Sequence, residues 1–352
     1  MLKQLENATP VSGMNLGNLR TPNAALAQRL YASSRMPGER SGPWTHGRMT
    51  TANESLFDQT HYSEPMTNYA VGWTDEEGYD ALVEFLAPSF PAPGELFEYL
   101  SFDNAEEFLS DETIDDLRAI DADFKTVDYT QQMNTGKIAN RGLRVELDWD
   151  RIKNDPIWQQ RWTGRILRRL KRNQARRAAA LMIASATSDA LTWNADSTQP
   201  DIDVANQKIL SANATGIKPN RLLYGESAWQ VRITAYGLSN SLSAAAGLAR
   251  DINGVGALLQ MQAMIDAGRF QNGGTKSQII GSNILLFTGM AGAQPEDPTN
   301  LKLAWTNCQT GMRFGVYVRQ ISVKKWEIVV EHYELLFAAS VLGVLVLPVS
   351  NS

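Results

Sequence analysis

RWTGRILRRLKRNQARRAAALMIA, residues 161–184, holds eight basic residues and no acidic one, although the whole chain has a net charge of −5. With Pro156 suited to a first turn, the pattern predicts one helix from residue 156 to about residue 188. Its length would be about 45–50 Å at about 1.5 Å per residue. Apolar and aromatic side chains fall on one arc of the helical wheel. The adjoining arc carries a row of arginines, namely Arg161, Arg165, Arg168, Arg169, Arg172 and Arg176. One side of the helix is therefore predicted to pack while the other presents guanidinium groups.

Three explanations of this arginine row are open. A solvated face is disfavoured because like charges repel at i, i+4 spacing. A membrane-surface helix would need a broad apolar face on a detachable segment, whereas this helix is predicted to lie within a fold. The third explanation is a counter-charge from outside the helix, either nucleic-acid phosphate, acidic residues of this or a neighbouring chain, or both. Residues 54–123 offer such a source, with 19 acidic residues against Arg118 alone.

The segments before the helix predict an arm, an acidic region and a hairpin. Residues 1–53 are mildly basic and rich in Gly, Pro, Asn and Ser, which is typical of an irregular arm. The acidic region predicts short helices at 74–87, 103–109 and 110–120, the first with Thr74 and Glu77 as a capping pair. Residues 124–132 and 142–148 predict a long β-hairpin with its turn at 134–136. In its second strand Leu143, Val145 and Leu147 alternate with Arg144, Glu146 and Asp148.

The segments after the helix predict a mixed α/β region. We expect a helix at 203–213, a strand at 221–225, a helix at 226–236 and a loop at 238–256. Strands are predicted at 282–289 and 301–307, and antiparallel strands from residue 312 onward. The apolar run 335–349 is shorter than the ~20 residues of a membrane helix and contains Gly343 and Pro348. It is therefore predicted to be buried strand, and the chain as a whole is predicted to have an α+β fold.

No catalytic or cofactor-binding motif is found in the sequence. Phosphate-loop, nucleophile-elbow and zinc-protease patterns are absent, and the three histidines lack metal-ligand spacing. Asp201 and Asp203 of the PDID stretch are best interpreted as caps of the next helix. The single Cys308 excludes an intramolecular disulfide and fits a reducing compartment. The N-terminus has no apolar stretch of signal-peptide length. We predict a non-enzyme with no cofactor and no metal site.

The order of these elements resembles the major capsid protein of tailed bacteriophages, which has the Hong-Kong-97-type fold. The resemblance covers about residues 120–350. Three stretches carry it, similar to the family's extended loop, its spine helix and the segment that enters its axial domain. They are DYTQQMNTGKIANRGLRVELDWD at 128–150, IWQQRWTGRILRRLKRNQARRAAALMIASAT at 157–187 and ANATGIKPNRLLYGESAWQVR at 212–232.

The resemblance implies a set of domain boundaries within this α+β fold. They are an N-terminal arm at 1–53, an acidic helical insert at 54–123 and an extended β-hairpin loop at 124–150. Three further parts follow: a peripheral domain with the spine helix at 151–200, a mixed α/β axial domain at 201–305 and C-terminal antiparallel strands of the peripheral domain at 306–352.

The resemblance also implies a function. The chain would form hexamers and pentamers of an icosahedral shell that encloses double-stranded DNA, a virion capsid assembled in the bacterial host cytoplasm. Its further partners would be a separate scaffolding protein, a portal and a decoration protein, with no membrane. An encapsulin-like nanocompartment around cargo is the near alternative. An α/β enzyme or soluble DNA-binding protein is the distant one.

Contacts between subunits are predicted at three places. The first is the extended loop, through Lys137, Arg141, Arg144, Glu146 and Asp148. The second is the loop at 238–256, which would line the capsomer centre. The third is the arginine row, which would meet an acidic neighbour or DNA. The acidic neighbour is slightly favoured because tight binding of DNA to the shell wall would hinder packaging.

Overall fold

The fold is known from a computed structural model. All of the residues that it describes belong to one compact unit, which spans 61–352. The predicted arm at 1–53, the predicted helix at 103–109 and most of that at 110–120 lie outside the described residues. The described residues are 61–102, 118, 120, 123–124, 132–194, 199–239, 241–290 and 297–351.

The described residues form helices both before and after the long helix predicted at 156–188. In chain order they are α1 (Glu64–Gly72), α2 (Tyr79–Leu86), α3 (Trp149–Ile152), α4 (Trp158–Ser185), α5 (Pro200–Thr215), α6 (Glu226–Leu238), α7 (Leu242–Leu248) and α8 (Ile252–Leu259).

The strands follow the same order. They are β1 (Ser89–Pro91), β2 (Leu96–Ser101), β3 (Gln132–Lys137), β4 (Ala139–Asp148), β5 (Thr187–Ser188), β6 (Leu191–Thr192), β7 (Arg221–Gly225), β8 (Gln262–Asp266), β9 (Arg269–Asn272), β10 (Thr275–Gln278), β11 (Asn283–Phe287), β12 (Leu301–Thr306), β13 (Phe314–Ser322), β14 (Lys325–Ala338) and β15 (Leu345–Ser350).

Helix α4 is the predicted spine helix, and its 28 residues give it a length of about 42 Å. It is shorter than predicted at its end because Thr187 and Ser188 pair as β5 with β15. Its first half buries Ile166, Leu167 and Leu170 against a core that includes residues of α1, β4, β13 and β14. Its alanine-rich second half packs into a core with α2, β7, β11 and β12. One continuous helix therefore contributes to the cores of both larger sheets.

A five-stranded sheet carries the first half of α4. Its order is β1-β12-β14-β13, and β4 pairs with the other side of β14. Strand β14 is its longest member, hydrogen-bonded to β4 over ten registered pairs, from Lys325↔Asp148 to Glu334↔Ala139. The alternation predicted for 142–148 is confirmed, because Leu147 is buried while Arg144, Glu146 and Asp148 are exposed.

The hairpin predicted between 124–132 and 142–148 is wrong at its turn, while residues 125–131 of its first strand lie outside the described residues. Strand β3 pairs with β2, from Leu96↔Lys137 to Ser101↔Gln132, while β4 pairs with β14. The predicted turn residues Asn134, Thr135 and Gly136 lie inside β3. Gly136 suits this position because a Cβ there would lie 2.9 Å from side-chain atoms of Leu335 and Phe97. Residues 132–137 are therefore extended where a turn was predicted, and β3 and β4 pair with strands distant in sequence.

A six-stranded sheet, of order β5-β15-β11-β7-β8 with β6 beside β15, forms the second layer. The predicted division at residues 305 and 306 does not follow the sheets. Strand β12, predicted in the axial domain, lies in the five-stranded sheet, whereas β15, predicted in the peripheral domain, pairs with β11. The chain therefore crosses between the sheets twice near its end, and the other domain boundaries stay predictions.

The loop predicted at 238–256 is instead helical over most of its length. Helix α7 begins where the Ser241 hydroxyl accepts a 3.1 Å hydrogen bond from the amide of Ala244, and α8 where the Asp251 carboxylate accepts one of 2.8 Å from Gly254. These side-chain caps outweigh the small, weakly amphipathic composition that favoured a loop. Among the helices that the structure describes, none is both long and apolar enough to cross a membrane.

The predicted capping pair Thr74 and Glu77 does not start a helix. Helix α2 begins later, at Tyr79, whose amide donates a 2.7 Å hydrogen bond to the Asp75 carboxylate. Gly78 precedes it in the left-handed region at φ 79°. This delay leaves Glu77 outside the helix, beside α4.

Candidate assembly surfaces

The arginine row of α4 divides into two groups in the structure. Arg168 and Arg172, named the inner pair, are half-buried and bind Glu77, with a distance of 2.5 Å from Arg172 Nη2 to Glu77 Oε2 and 3.6 Å from Arg168 Nε to Glu77 Oε1. The hydrogen bond that Arg172 donates to the Glu77 carboxylate raises the pKa of Arg172. One turn of helix separates the two arginines, so a single carboxylate bridges them. The acidic region of the same chain therefore supplies the counter-charge of the inner pair.

The other arginines of the row are exposed on the outward face of α4. Arg161 pairs with Asp155 at 2.7 Å. Arg165, Arg169 and Arg176, named the outer row, have no carboxylate within 4 Å among the described residues. Arg165 stacks over the ring of Trp162 at 4.4 Å, and Arg176 over Phe270 at 3.8 Å. The outer row is thus a line of three cations, two of them oriented by aromatic rings.

A buried ionic cluster on the inward face of α4 was not predicted. The carboxylate of Glu334 on β14, 2 % exposed, binds Arg177 and accepts a hydrogen bond from Gln174. Arg141 of β4 lies 3.4 Å away and His332 of β14 lies 3.3 Å away. Helix α4, β4 and β14 therefore meet at one carboxylate.

The electrostatics of this cluster favour an ionised carboxylate. Burial raises the pKa of Glu334, but the hydrogen bond and charge of His332 and the ion pair with Arg177 outweigh burial and lower the pKa to about 2. Burial in turn lowers the pKa of Arg177, and Glu334 opposes that effect. Sequence alone offers a signal for the cluster, because Glu334 alternates in phase with Ile328 and Val330, and Arg177 follows Leu170 by two helical turns.

Most residues predicted as extended-loop contacts also have partners within the chain. Arg144 lies 3.3 Å from the buried Glu327 and 3.8 Å from Glu146. Asp148 accepts a 2.9 Å hydrogen bond from the amide of Asp150 and so caps α3. Lys137 is exposed at the end of β3, next to β4, whose pairing partner among the described strands is β14. Their contacts with other subunits, and the predicted position of 238–256 at a capsomer centre, stay predictions.

The PDID stretch forms an ion pair in place of the predicted cap. Gln199 precedes the first turn of α5, and the buried Asp201 within that turn binds Arg232 at 2.7 and 3.0 Å. Arg250, in the connection between α7 and α8, adds a 3.1 Å contact to the same carboxylate. The buried guanidinium of Arg232 competes successfully for this carboxylate, and α5, α6 and the α7–α8 connection are joined there.

No catalytic arrangement emerges from these groups. Cys308 is buried, and burial raises the pKa of its thiol to about 12. Within the described ranges no group of three or more His, Cys, Asp or Glu residues could hold a metal ion. The groups that the structure brings together are ion pairs and exposed surfaces.

Comparisons with known proteins identify the fold. No protein-family model matches the chain, and no curated protein matches it in sequence. A phage-related protein from Bordetella bronchiseptica RB50 aligns with a TM-score of 0.62 and 16% identity, over 81% of this chain and 96% of that one. This likeness confirms the predicted α+β, Hong-Kong-97-type fold.

Two further solved structures align at lower scores. The capsid of cyanophage P-SCSP1u has a TM-score of 0.48 and 8% identity over 76% of this chain and 88% of that one. The holo-SrpI encapsulin of Synechococcus elongatus PCC 7942 aligns with a TM-score of 0.47 and 14% identity, over 85% of this chain and 94% of that one.

Proposed function

We propose that this chain is a major capsid protein, a structural subunit without enzymatic activity. Copies of it assemble into hexamers and pentamers of an icosahedral shell around double-stranded DNA. The shell forms in the cytoplasm of a bacterial host and becomes the capsid of the virion. A scaffolding protein, a portal and a decoration protein are its further partners.

The observation that carries the proposal is the fold. The chain shares it with a phage-related protein, nearly the whole of whose length is covered. The elements that distinguish this architecture, a long spine helix and an extended segment leading into β4, are both present. Catalytic clusters are not needed for a shell subunit, whereas large contact surfaces are.

The surface of α5 supports assembly. Ile202, Ile209 and Leu210 are each more than half exposed, while Asp201 and Lys208 of the same helix are buried. A helix that turns apolar side chains outward and charged ones inward is typical of a surface that a partner covers. Copies of the same chain are the partners that a shell provides.

Negative-stain electron microscopy of the purified full chain, at low and high salt, tests the proposal. We expect closed particles tens of nanometres across, with a yield that depends on salt because repeated ion pairs are screened. Small soluble species at every salt concentration, also with a co-expressed scaffolding protein, would overturn it. Particles that hold protein cargo and no DNA would favour the encapsulin-like alternative.

A variant of the exposed α5 surface tests the same proposal at residue level. Ile209→Asp with Leu210→Asp is expected to abolish particles and leave a folded subunit, because both side chains are exposed. Asn206→Asp with Asn213→Asp is the matched control, since it adds the same charge at exposed positions of the same helix. Equal particle yields from the two variants would remove α5 from the assembly surface.

A further inference from the structure

We infer that the outer row on α4, formed by Arg165, Arg169 and Arg176, is a docking surface for the acidic segment 103–123 of a second copy of this chain. The inference rests on the proposed function, and it specifies one contact within the shell.

The arginines of the outer row have no ion-pair partner among the described residues. Its three arginines lie on one exposed face, separated by four and seven residues, so that their Cα atoms are spaced by about 6 and about 10 Å along the axis. Like charges at this spacing destabilise a helix. No carboxylate of the described residues lies within 4 Å of them, so an anion from outside the described residues would relieve this repulsion.

The inner pair shows that arginines of this helix bind a protein carboxylate. One turn of α4 presents Arg168 and Arg172, and the single carboxylate of Glu77 bridges them. Arg165 and Arg169 are also one turn apart and repeat this geometry on the exposed face. The ring of Trp162 lies under Arg165, which orients a planar guanidinium for bidentate carboxylates. The same face therefore suits protein carboxylates at helical spacing.

A nucleic-acid backbone fits the surroundings less well. Carboxylates flank the row, with Asp155 beside Arg161 and Glu77 beside the inner pair. Phosphates spaced continuously along a strand would approach these carboxylates. A short peptide with discrete acidic side chains can instead alternate with them.

The sequence of 103–123 matches this requirement. It holds nine acidic residues and one arginine, Arg118. The acids at 111, 112, 115 and 116 stand three and four residues apart, which is the spacing of helical i, i+3 and i+4 pairs. Two other residues of the acidic region 54–123, Glu77 and Asp80, bind α4 of their own chain.

The apolar residues of this segment point to a second copy as the binding partner. Ile120 is 95 % exposed, and Phe124, directly after the segment, is 76 % exposed with the Arg118 guanidinium 5.2 Å from its ring centre. Beside the outer row, α4 exposes Ala180 and Ala184, and Trp162 is half-buried. A segment that carries both acids and unpacked apolar side chains fits a surface that offers arginines beside apolar groups.

Charge exchange between two variants tests the contact. The first variant reverses the outer row, through Arg165→Glu, Arg169→Glu and Arg176→Glu. The second reverses four acids of the segment, through Asp111→Lys, Glu112→Lys, Asp115→Lys and Asp116→Lys. The matched control for the first reverses three exposed lysines elsewhere, through Lys218→Glu, Lys276→Glu and Lys325→Glu.

Each variant alone is expected to lower the yield of sedimenting shells by about tenfold or more, because like charges then face each other across the contact. Tryptophan fluorescence in urea is expected to show unchanged unfolding, since the reversed arginines are exposed. When the two variants are co-expressed, shells should return, because each supplies the surface that the other lacks. The matched control should retain the larger part of its yield.

Three outcomes would overturn the inference. Rescue only when all seven substitutions stand in one chain would place the contact within a single copy. Normal shells from the first variant, with reduced DNA content, would assign the outer row to DNA. Normal shells from the second variant would exclude the segment. In all three cases the wild-type chain forms shells, whereas failure of the proposed function would leave the wild type without shells.

Discussion

Replacing Glu334 by glutamine should destabilise the subunit in a way that depends on pH. The buried carboxylate has a pKa of about 2 in the fold against 4.5 for the free group. At about 1.4 kcal/mol per pH unit, this difference corresponds to about 3 kcal/mol of stability at pH 7. Glutamine keeps the size but removes the charge, so that the half-buried Arg177 loses its anion. Such a change costs about 3–5 kcal/mol where a buried pair is broken.

The sign of the pH dependence follows from the lowered pKa. A carboxyl group whose pKa is lower in the fold than in the unfolded chain stabilises the protein above the unfolded value. That stabilisation is fully present above about pH 4.5 and is lost as the pH falls toward about 2. The gap in stability between the wild type and Glu334→Gln should therefore close over this range.

Urea unfolding of the unassembled chain, followed by tryptophan fluorescence at pH 7 and at steps down to pH 3, measures the gap. Glu98→Gln is the control, because Glu98 is exposed on β2, and it should change stability by less than about 0.5 kcal/mol. A Glu334→Gln variant as stable as the wild type at pH 7 would refute the reasoning. So would a loss of stability that is the same at pH 7 and pH 3.

Three other predictions concern single sites. Gly225→Ala should lower the unfolding free energy by about 1–3 kcal/mol, because the new Cβ would lie 2.1 Å from a backbone carbonyl oxygen. Gly237→Ala has open space around the new Cβ and should raise the unfolding free energy by up to about 1 kcal/mol. Thermal unfolding measures both changes. Asp201→Asn should cost about 3–5 kcal/mol by leaving Arg232 buried without its anion, and hydrogen exchange should then show faster opening of α7; unchanged exchange would contradict the role of this ion pair. Cys308 should resist a thiol reagent at pH 8 in the folded chain and react once urea unfolds it, because burial raises the thiol pKa to about 12; rapid labelling of the folded chain would argue against its burial.

Local sequence patterns correctly predicted those helices and strands whose conformation depends mainly on residues close in sequence. The long amphipathic arc of α4 and the alternation in β4 were both confirmed. The helix predicted at 203–213 is present as α5, which ends at Gly216 with a φ of 75°. Such signals repeat over many residues, so single exceptions do not hide them.

Pairing partners could not be predicted in the same way. Asn134, Thr135 and Gly136 are residue types typical of a turn and precede the clear strand at 142–148, which favoured a hairpin. In the structure β3 pairs with β2, and β4 pairs with β14. Non-local pairing depends on the whole sheet, which no short window contains. Helices α7 and α8 were missed because both are short and the stretch around them is rich in small residues, although Ser241 and Asp251 could have been recognised as caps.

The charged surface was predicted in part. Periodicity placed six arginines on one arc of α4, and four of them are exposed as expected. Periodicity could not distinguish the paired Arg168 and Arg172 from the exposed arginines, because their partner Glu77 lies in the connection before α2. Glu77 is 91 and 95 residues away from them in sequence. The predicted meeting of the remaining arginines with an acidic neighbour or DNA stays a prediction.

The ladder between β4 and β14 has a mechanical consequence. Strand β3 continues into β4 through Ile138, and β4 then runs antiparallel along β14 for ten registered pairs. A force that pulls β3 outward along the strand axis loads these hydrogen bonds in shear, so that they resist together and do not open one after another. The ion pairs of Arg141 and Arg144 cross the same ladder and share that load. An extended segment anchored in this way can transmit tension into the body of the subunit without peeling away from it.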